Sequence, residues 1–109
     1  MVSRLKTGEI VGYIIYSEVV DELHVLNVAV SPTNRHQGIA SAMLTYLHNL
    51  AIERGRTFAY LEVRESNVSA QKLYAKFGYK ALTKRKEYYL DSREDAILMA
   101  APLKKNTKK

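Results

Sequence analysis

Glu62, Tyr74 and the run Arg35-His36-Gln37-Gly38-Ile39-Ala40 are the residues whose types and spacing allow chemistry. Glu62 stands inside a strand-like run, Phe58 to Val63, and shares a face with Phe58 and Tyr60. In half-buried aromatic surroundings a carboxylate would be desolvated, which suits a general base. The plainer reading pairs Glu62 with Arg64 or turns it to water. Tyr74 follows twelve residues later, on the helix that returns beside that strand. A phenol, with an ordinary pKa of about 10, can give a proton to a departing anion once it is positioned. The plainer reading packs it with Leu73 and Phe77 in the helix core.

The Arg35–Ala40 run follows an apolar β-type stretch, Leu26 to Val30, and the turn Ser31-Pro32-Thr33-Asn34. It opens a helical segment. The first amides of a helix lack intrahelical partners, and the macrodipole places roughly half a positive charge there. Gly38 lets the backbone approach a bulky ligand, and Arg35 and His36 add cationic character. The expected ligand is a phosphate or pyrophosphate. No Gly-Lys-Ser/Thr follows, so this is not a Walker loop, and the three spaced glycines of a dinucleotide fingerprint are absent. Asn67 suits a helix cap or a ligand amide. His24, His36 and His48 show no metal-ligand spacing. None of the serines lies in a Gly-x-Ser-x-Gly elbow. Tyr88-Tyr89 falls in a polar stretch, Glu87 to Asp95, and suits either a peptide groove or packing.

The elements that must position these groups are legible in outline. Ile10–Tyr16 and His24–Val30 read as strands joined through Glu18–Glu22 into an antiparallel hairpin. Ile39, Met43, Leu47, Leu50 and Ala51 mark one face of a helix over 39–54, stopped at Gly55. Phe58–Val63 is a strand with Ala59, Leu61 and Val63 on the second face. Val68–Phe77 is a helix ending at Gly78, and Tyr79–Lys84 and Ala96–Leu103 are closing strands. The order β-β-α-β-α-β-β predicts an α/β fold with a mixed sheet and a parallel strand–helix–strand unit. Two helices over five strands leave much of one sheet face uncovered, so further elements ahead of residue 1 are expected.

Composition bounds the rest. The 109 residues suit one domain, read as 1–103 followed by a basic tail, 104–109. There is no cysteine, which excludes disulfides, thiolate metal sites and a cysteine nucleophile and fits a reducing, cytoplasmic setting. No apolar run approaches the ~18–20 residues of a membrane span, and no secretory h-region follows Met1-Val2-Ser3-Arg4. The net charge is +6; Lys104, Lys105, Lys108 and Lys109 supply four of these, leaving +2 on the body. That tail reads first as a solvated end and second as a steering element toward an acidic partner.

Arg35-x-x-Gly38-x-Ala40 resembles the Gln/Arg-x-x-Gly-x-Gly/Ala motif of the GCN5-related N-acetyltransferases. Leu61-Glu62-Val63-Arg64-Glu65-Ser66-Asn67, Leu73-Tyr74 and Phe77-Gly78-Tyr79 resemble the second half of that fold. Leu61 to Asn67, Tyr88-Tyr89 and Arg93-Glu94-Asp95-Ala96-Ile97-Leu98-Met99 are similar to the members that acetylate an alanine-first ribosomal protein. The resemblance covers about Gly8 to Leu103. It implies a GNAT-like acyl-CoA N-acyltransferase fold, N-terminally short, since the family's strand and helices ahead of the hairpin have no counterpart here. It implies acetyl-CoA as co-substrate, no metal, and a protein N-terminus, that of a small-subunit ribosomal protein, as acceptor, with no nucleic acid or membrane contacted directly. The backbone of Val28, Ala29 and Val30 would hold the pantetheine arm and thioester. His36, Gln37, Gly38, Ile39, Ala40 and Ser41 would wrap the pyrophosphate, and Asn67 would touch the cofactor beyond the thioester. Glu62 would be the general base and Tyr74 the acid that protonates the thiolate. The second enzyme reading keeps the transfer and changes the acceptor amine; the non-enzyme reading is a CoA-binding domain without turnover.

Overall fold

Alternating apolar residues build a single mixed sheet. The computed structural model describes residues 1–4, 8–35, 38–89 and 94–104. The strands are β1 (Val2–Arg4), β2 (Ile10–Val19), β3 (Glu22–Val30), β4 (Phe58–Arg64), β5 (Lys80–Tyr89) and β6 (Glu94–Pro102). The helices are α1 (Ile39–Glu53) and α2 (Val68–Lys76), and a single 3-10 turn, Pro32–Asn34, leads from β3 toward α1. The sheet order is β1-β2-β3-β4-β6-β5. β3 and β4 are parallel, as the helix between them requires. The remaining neighbours pair antiparallel. The mixed α/β fold expected from the sequence is the one observed.

Three boundaries differ from the sequence expectation. β1 is an additional strand of only three residues, tied on by main-chain pairing to β2 and too short to carry a periodic signal. The first hairpin turns over Val20–Asp21 alone, because Glu18 and Glu22 stay in the ladder. Arg54 and Arg56 hold the Glu18 carboxylate at 2.6 and 2.9 Å, and His24 pairs with Glu22 at 2.8 Å. Val20 turns the corner at φ +55, a costly region for a β-branched residue. The described residues of the polar stretch read as a loop are strand: β5 runs through Tyr89 and β6 begins at Glu94, in keeping with the β propensity of tyrosine. The side chains of Tyr88 and Tyr89, and residues 105–109 of the basic tail, lie outside the described residues.

The core lies between one sheet face and both helices. Ile14, Leu23, Val25, Ala59, Leu61, Val63 and Met99 from the strands pack with Met43, Leu44, Leu47 and Ala51 of α1 and Tyr74 of α2. The alternation along β4 follows the expected faces, with Ala59, Leu61 and Val63 buried. Phe58, Tyr60 and Glu62 stand on the other face, where β2 exposes Tyr13 and Ile15. Among the described residues no helix is long and apolar enough to cross a membrane.

Candidate functional site

A break in the sheet makes the site. β3 and β4 pair from Glu22–Phe58 to Val25–Leu61 and no further. β4 continues to Arg64 along β6, and β3 continues to Val30 along β2. The two strands therefore part beyond Val25 and Leu61. A bulge marks the same point: Tyr16 pairs with Val25 and Ile15 with Asn27, leaving Leu26 as the extra residue. A bulge bends its strand and ends regular pairing. The β4-facing edge of Asn27–Val30 is thus main chain without a strand partner, able to bond an extended, amide-bearing ligand.

Two cavities meet at this split. One, of about 350 Å³, is lined by Leu26, Asn27, Val28, Val63, Asn67 and Tyr74. The other, of about 360 Å³, opens on the uncovered sheet face between Glu22, His24, Tyr60, Arg85 and Leu98. Glu62, with Val25, Leu26 and Leu61, lines both. Expected site residues from β3, β4, the start of α2 and its second turn are therefore brought round one opening.

Glu62 Oε2 is buried and accepts no hydrogen bond among the described residues. Arg85 Nε stands 3.0 Å from it, an ion-pair distance at which the N–H is not aimed at the oxygen. The partner is thus Arg85 from β5 rather than the sequence neighbour Arg64, which faces Glu94 at 3.9 Å. A buried carboxylate oxygen left without a hydrogen bond is uncommon, and a catalytic role is one of the explanations for it. Tyr74 is buried, with its ring edge-on to Tyr79 at 5.8 Å. Helix packing and cleft lining are therefore both true of it. Tyr79 shares a buried hydrogen bond of 2.8 Å with His48 Nε2. Burial, reinforced by Tyr74, raises the Tyr79 phenol above its ordinary value, and burial pushes His48 down to about 4.

Asn67 caps α2, its Oδ1 accepting from Ala70 N–H at 3.1 Å, while it also lines the inner cavity. At the other end of the cleft Gly38 is the N-cap of α1 at φ +76. A Cβ there meets nothing within 4 Å, so conformation rather than space calls for glycine. Among the described residues no side chain caps the helix and its first turn holds no acid, an arrangement in which the amides of Ile39, Ala40 and Ser41 suit an anion. Arg35 folds back to Val30, its Nε–H donating to the carbonyl at 3.3 Å. His36 and Gln37, expected in the same cradle, lie outside the described residues.

Two contributors escaped the sequence reading. Gly12 of β2 lies where a Cβ would come 2.9 Å from Ala29 O and 3.1 Å from the Met43 methyl, so only glycine lets α1 lie this close to the sheet. Its place in an apolar run was the available signal. Arg85 gave none, because its approach to Glu62 crosses an intervening strand. A free strand edge leading to bare helix amides fits a long ligand with amides in its middle and phosphates at one end, as acetyl-CoA is.

The model of the Acetyltransferase (GNAT) family matches residues 1–79. The chain is 39% identical over 100 residues to the [ribosomal protein bS18]-alanine N-acetyltransferase of Escherichia coli strain K12, covering 90% of this chain and 68% of that protein. It is 43% identical over 94 residues to the enzyme of the same name from Haemophilus ducreyi, covering 84% of this chain and 65% of that one. The crystal structure of the Escherichia coli ribosomal-protein-S18-alanine N-acetyltransferase superposes with a TM-score of 0.86 at 36% identity, over 96% of this chain and 69% of that chain. Naa20 of Chaetomium thermophilum, solved with a bisubstrate analogue, gives a TM-score of 0.82 at 29% identity, over 94% and 64%. A matching family model, curated relatives of which the chain spans about two thirds, and a shared fold agree: the chain belongs to the GNAT family of acetyltransferases.

Proposed function

We propose that the chain is an Nα-acetyltransferase that moves the acetyl group of acetyl-CoA to the N-terminal amine of a ribosomal protein whose first residue is alanine. The observation that carries this reading is the convergence of Glu62, Tyr74, Asn67 and the unpaired β3 edge on one split in the sheet. Similarity to the bS18-alanine enzymes supplies the acceptor.

Acetyl-CoA, when bound, supplies a thioester whose carbonyl carbon the amine attacks, so that a C–N bond forms and the C–S bond breaks. The backbone of Val28, Ala29 and Val30 holds the extended arm, and Gly38 to Ser41, with His36 and Gln37, receive the pyrophosphate at the start of α1. Glu62, lining both cavities, takes the proton that the incoming ammonium must lose, directly or through water. An N-terminal amine has an ordinary pKa of about 7.7–8.0, so a modest base suffices. Tyr74, lining the inner cavity, donates its hydroxyl proton to the departing sulfur and is restored by the second proton, which the nitrogen sheds as the amide forms. Holding the two reactants in line supplies much of the rate, and no covalent enzyme intermediate is needed.

The experiment is a panel of peptides differing in the first residue, incubated with acetyl-CoA while CoA release is followed. Fastest turnover on an alanine-first peptide supports the reading. Turnover only on lysine side chains or small amines transfers the same chemistry to another acceptor. Acetyl-CoA binding without turnover on any amine contradicts an enzymatic role.

A further inference from the structure

Glu62 is held from across a strand. β6 lies between β4 and β5, so Arg85 and Glu62 start two strand spacings apart, roughly 10 Å. On β6 the register partner of Glu62 is Leu98, and that of Arg85 is Ala96. Ala96 is fully buried, and its single methyl is the smallest side chain that could stand in the path of the arginine. Arg85 thus crosses β6 over Ala96 and brings its Nε to 3.0 Å from Glu62 Oε2. It also forms part of the wall of the outer cavity.

We propose that Arg85 is a positioning residue for Glu62. This rests on the reading of Glu62 as the general base. The guanidinium fixes the buried Oε2 by charge, and the carboxylate is thereby held at the junction of the two cavities. A carboxylate charge sunk in the sheet without a counter-charge would turn toward water, away from an incoming amine. Arginine suits the task because its charge is permanent and its planar group keeps its orientation. The pairing is imperfect, since the N–H is not aimed at Oε2, which leaves the oxygen able to take a proton.

The test compares wild type, Arg85→Gln, Arg85→Lys, Glu62→Gln and the Arg85→Gln/Glu62→Gln double variant on an alanine-first peptide. Thermal melts and acetyl-CoA affinity check folding. Arg85→Gln is expected to lower kcat on the order of tenfold, with KM for acetyl-CoA within about twofold. Arg85→Lys should recover part of the loss, because it restores charge without geometry, and it serves as the informative variant if the glutamine form does not fold. The double variant should be no slower than Glu62→Gln alone, because both substitutions disable one group. An unchanged kcat in a folded Arg85→Gln, or losses that multiply in the double variant, overturns the proposal. The Arg85 Hε NMR signal should move on Glu62→Gln whether or not the protein turns over, and a signal that stays still also overturns it. A wild type without turnover on any amine, its Arg85 signal still responding to Glu62→Gln, overturns the transferase reading and the role of Arg85 with it.

Discussion

Val25 and Leu61 form the last register pair between β3 and β4, and beyond them Leu26–Val28 and Glu62–Arg64 line the two sides of an open cleft. The parallel pairing that brings the strands together is therefore also what sets where they separate. A carboxylate on β4 and an unpaired main-chain edge on β3 come to face one space without either strand leaving the sheet.

Tyr74 tests the acid half of the reaction. Tyr74→Phe keeps the ring against Tyr79 and removes only the hydroxyl. The melting temperature should change little, while kcat falls on the order of a hundredfold with acetyl-CoA affinity retained. Steady-state kinetics beside calorimetric titration checks this. A destabilised protein with normal kcat would assign Tyr74 to the core alone.

Gly38 tests the anion cradle. Gly38→Ala meets no atom within 4 Å but must adopt φ +76, which costs an L-residue about 1–2 kcal/mol. The start of α1 should reshape, and acetyl-CoA should bind more weakly than its dephosphorylated pantetheine portion alone would account for. Affinities for CoA and for pantetheine, measured in both proteins, separate the two: loss confined to CoA places the defect at the phosphates.

Gly12 tests the seat of α1. Gly12→Ala puts a methyl 2.9 Å from the backbone oxygen of Ala29, which cannot swing aside as a side chain would. Overpacking of this kind costs about 1–3 kcal/mol. Urea unfolding should show that loss, and a neutral result would mean α1 shifts at no cost.

The sequence carried the parts of this fold that repeat along the chain. The apolar rows of α1 and the alternation of β4 are local patterns, and both stand where they were expected. The convergence of Glu62, Asn67 and Tyr74 was legible for the same reason, since a strand, a cap and a helix follow one another within thirteen residues. Relations between distant strands were not. Nothing in the order of residues says that β6 inserts between β4 and β5, that β3 slips at Leu26, or that Arg85 rather than Arg64 approaches Glu62. Register comes from the packing of whole faces. Glu87–Asp95 looked like a loop because it is polar, although its described residues, 87–89 and 94–95, are the ends of two strands.

His48 gives the protein an acid-side sensitivity away from the cleft. Buried against Phe77 and Tyr79, it falls from its usual 6.5 to about 4 in the folded protein. Below about pH 6.5 the unfolded chain takes up a proton that the folded one refuses, so unfolding is favoured as pH falls. Stability contributed by neutral His48 is complete above pH 6.5 and is lost toward pH 4, up to about 3 kcal/mol. Urea midpoints at pH 7 and pH 5 should differ in wild type, and His48→Phe should flatten that part of the difference. An equal slope in both proteins would remove His48 as its source.

The most direct measurement is turnover and acetyl-CoA affinity on one preparation of wild type and Glu62→Gln, with an alanine-first peptide and product identified by mass spectrometry. Acetyl on the α-amine in wild type, with kcat lowered about a hundredfold or more in Glu62→Gln and acetyl-CoA affinity unchanged, is the predicted result. Equal turnover in the two proteins would contradict the assignment of the split between β3 and β4 as the place where the amine loses its proton.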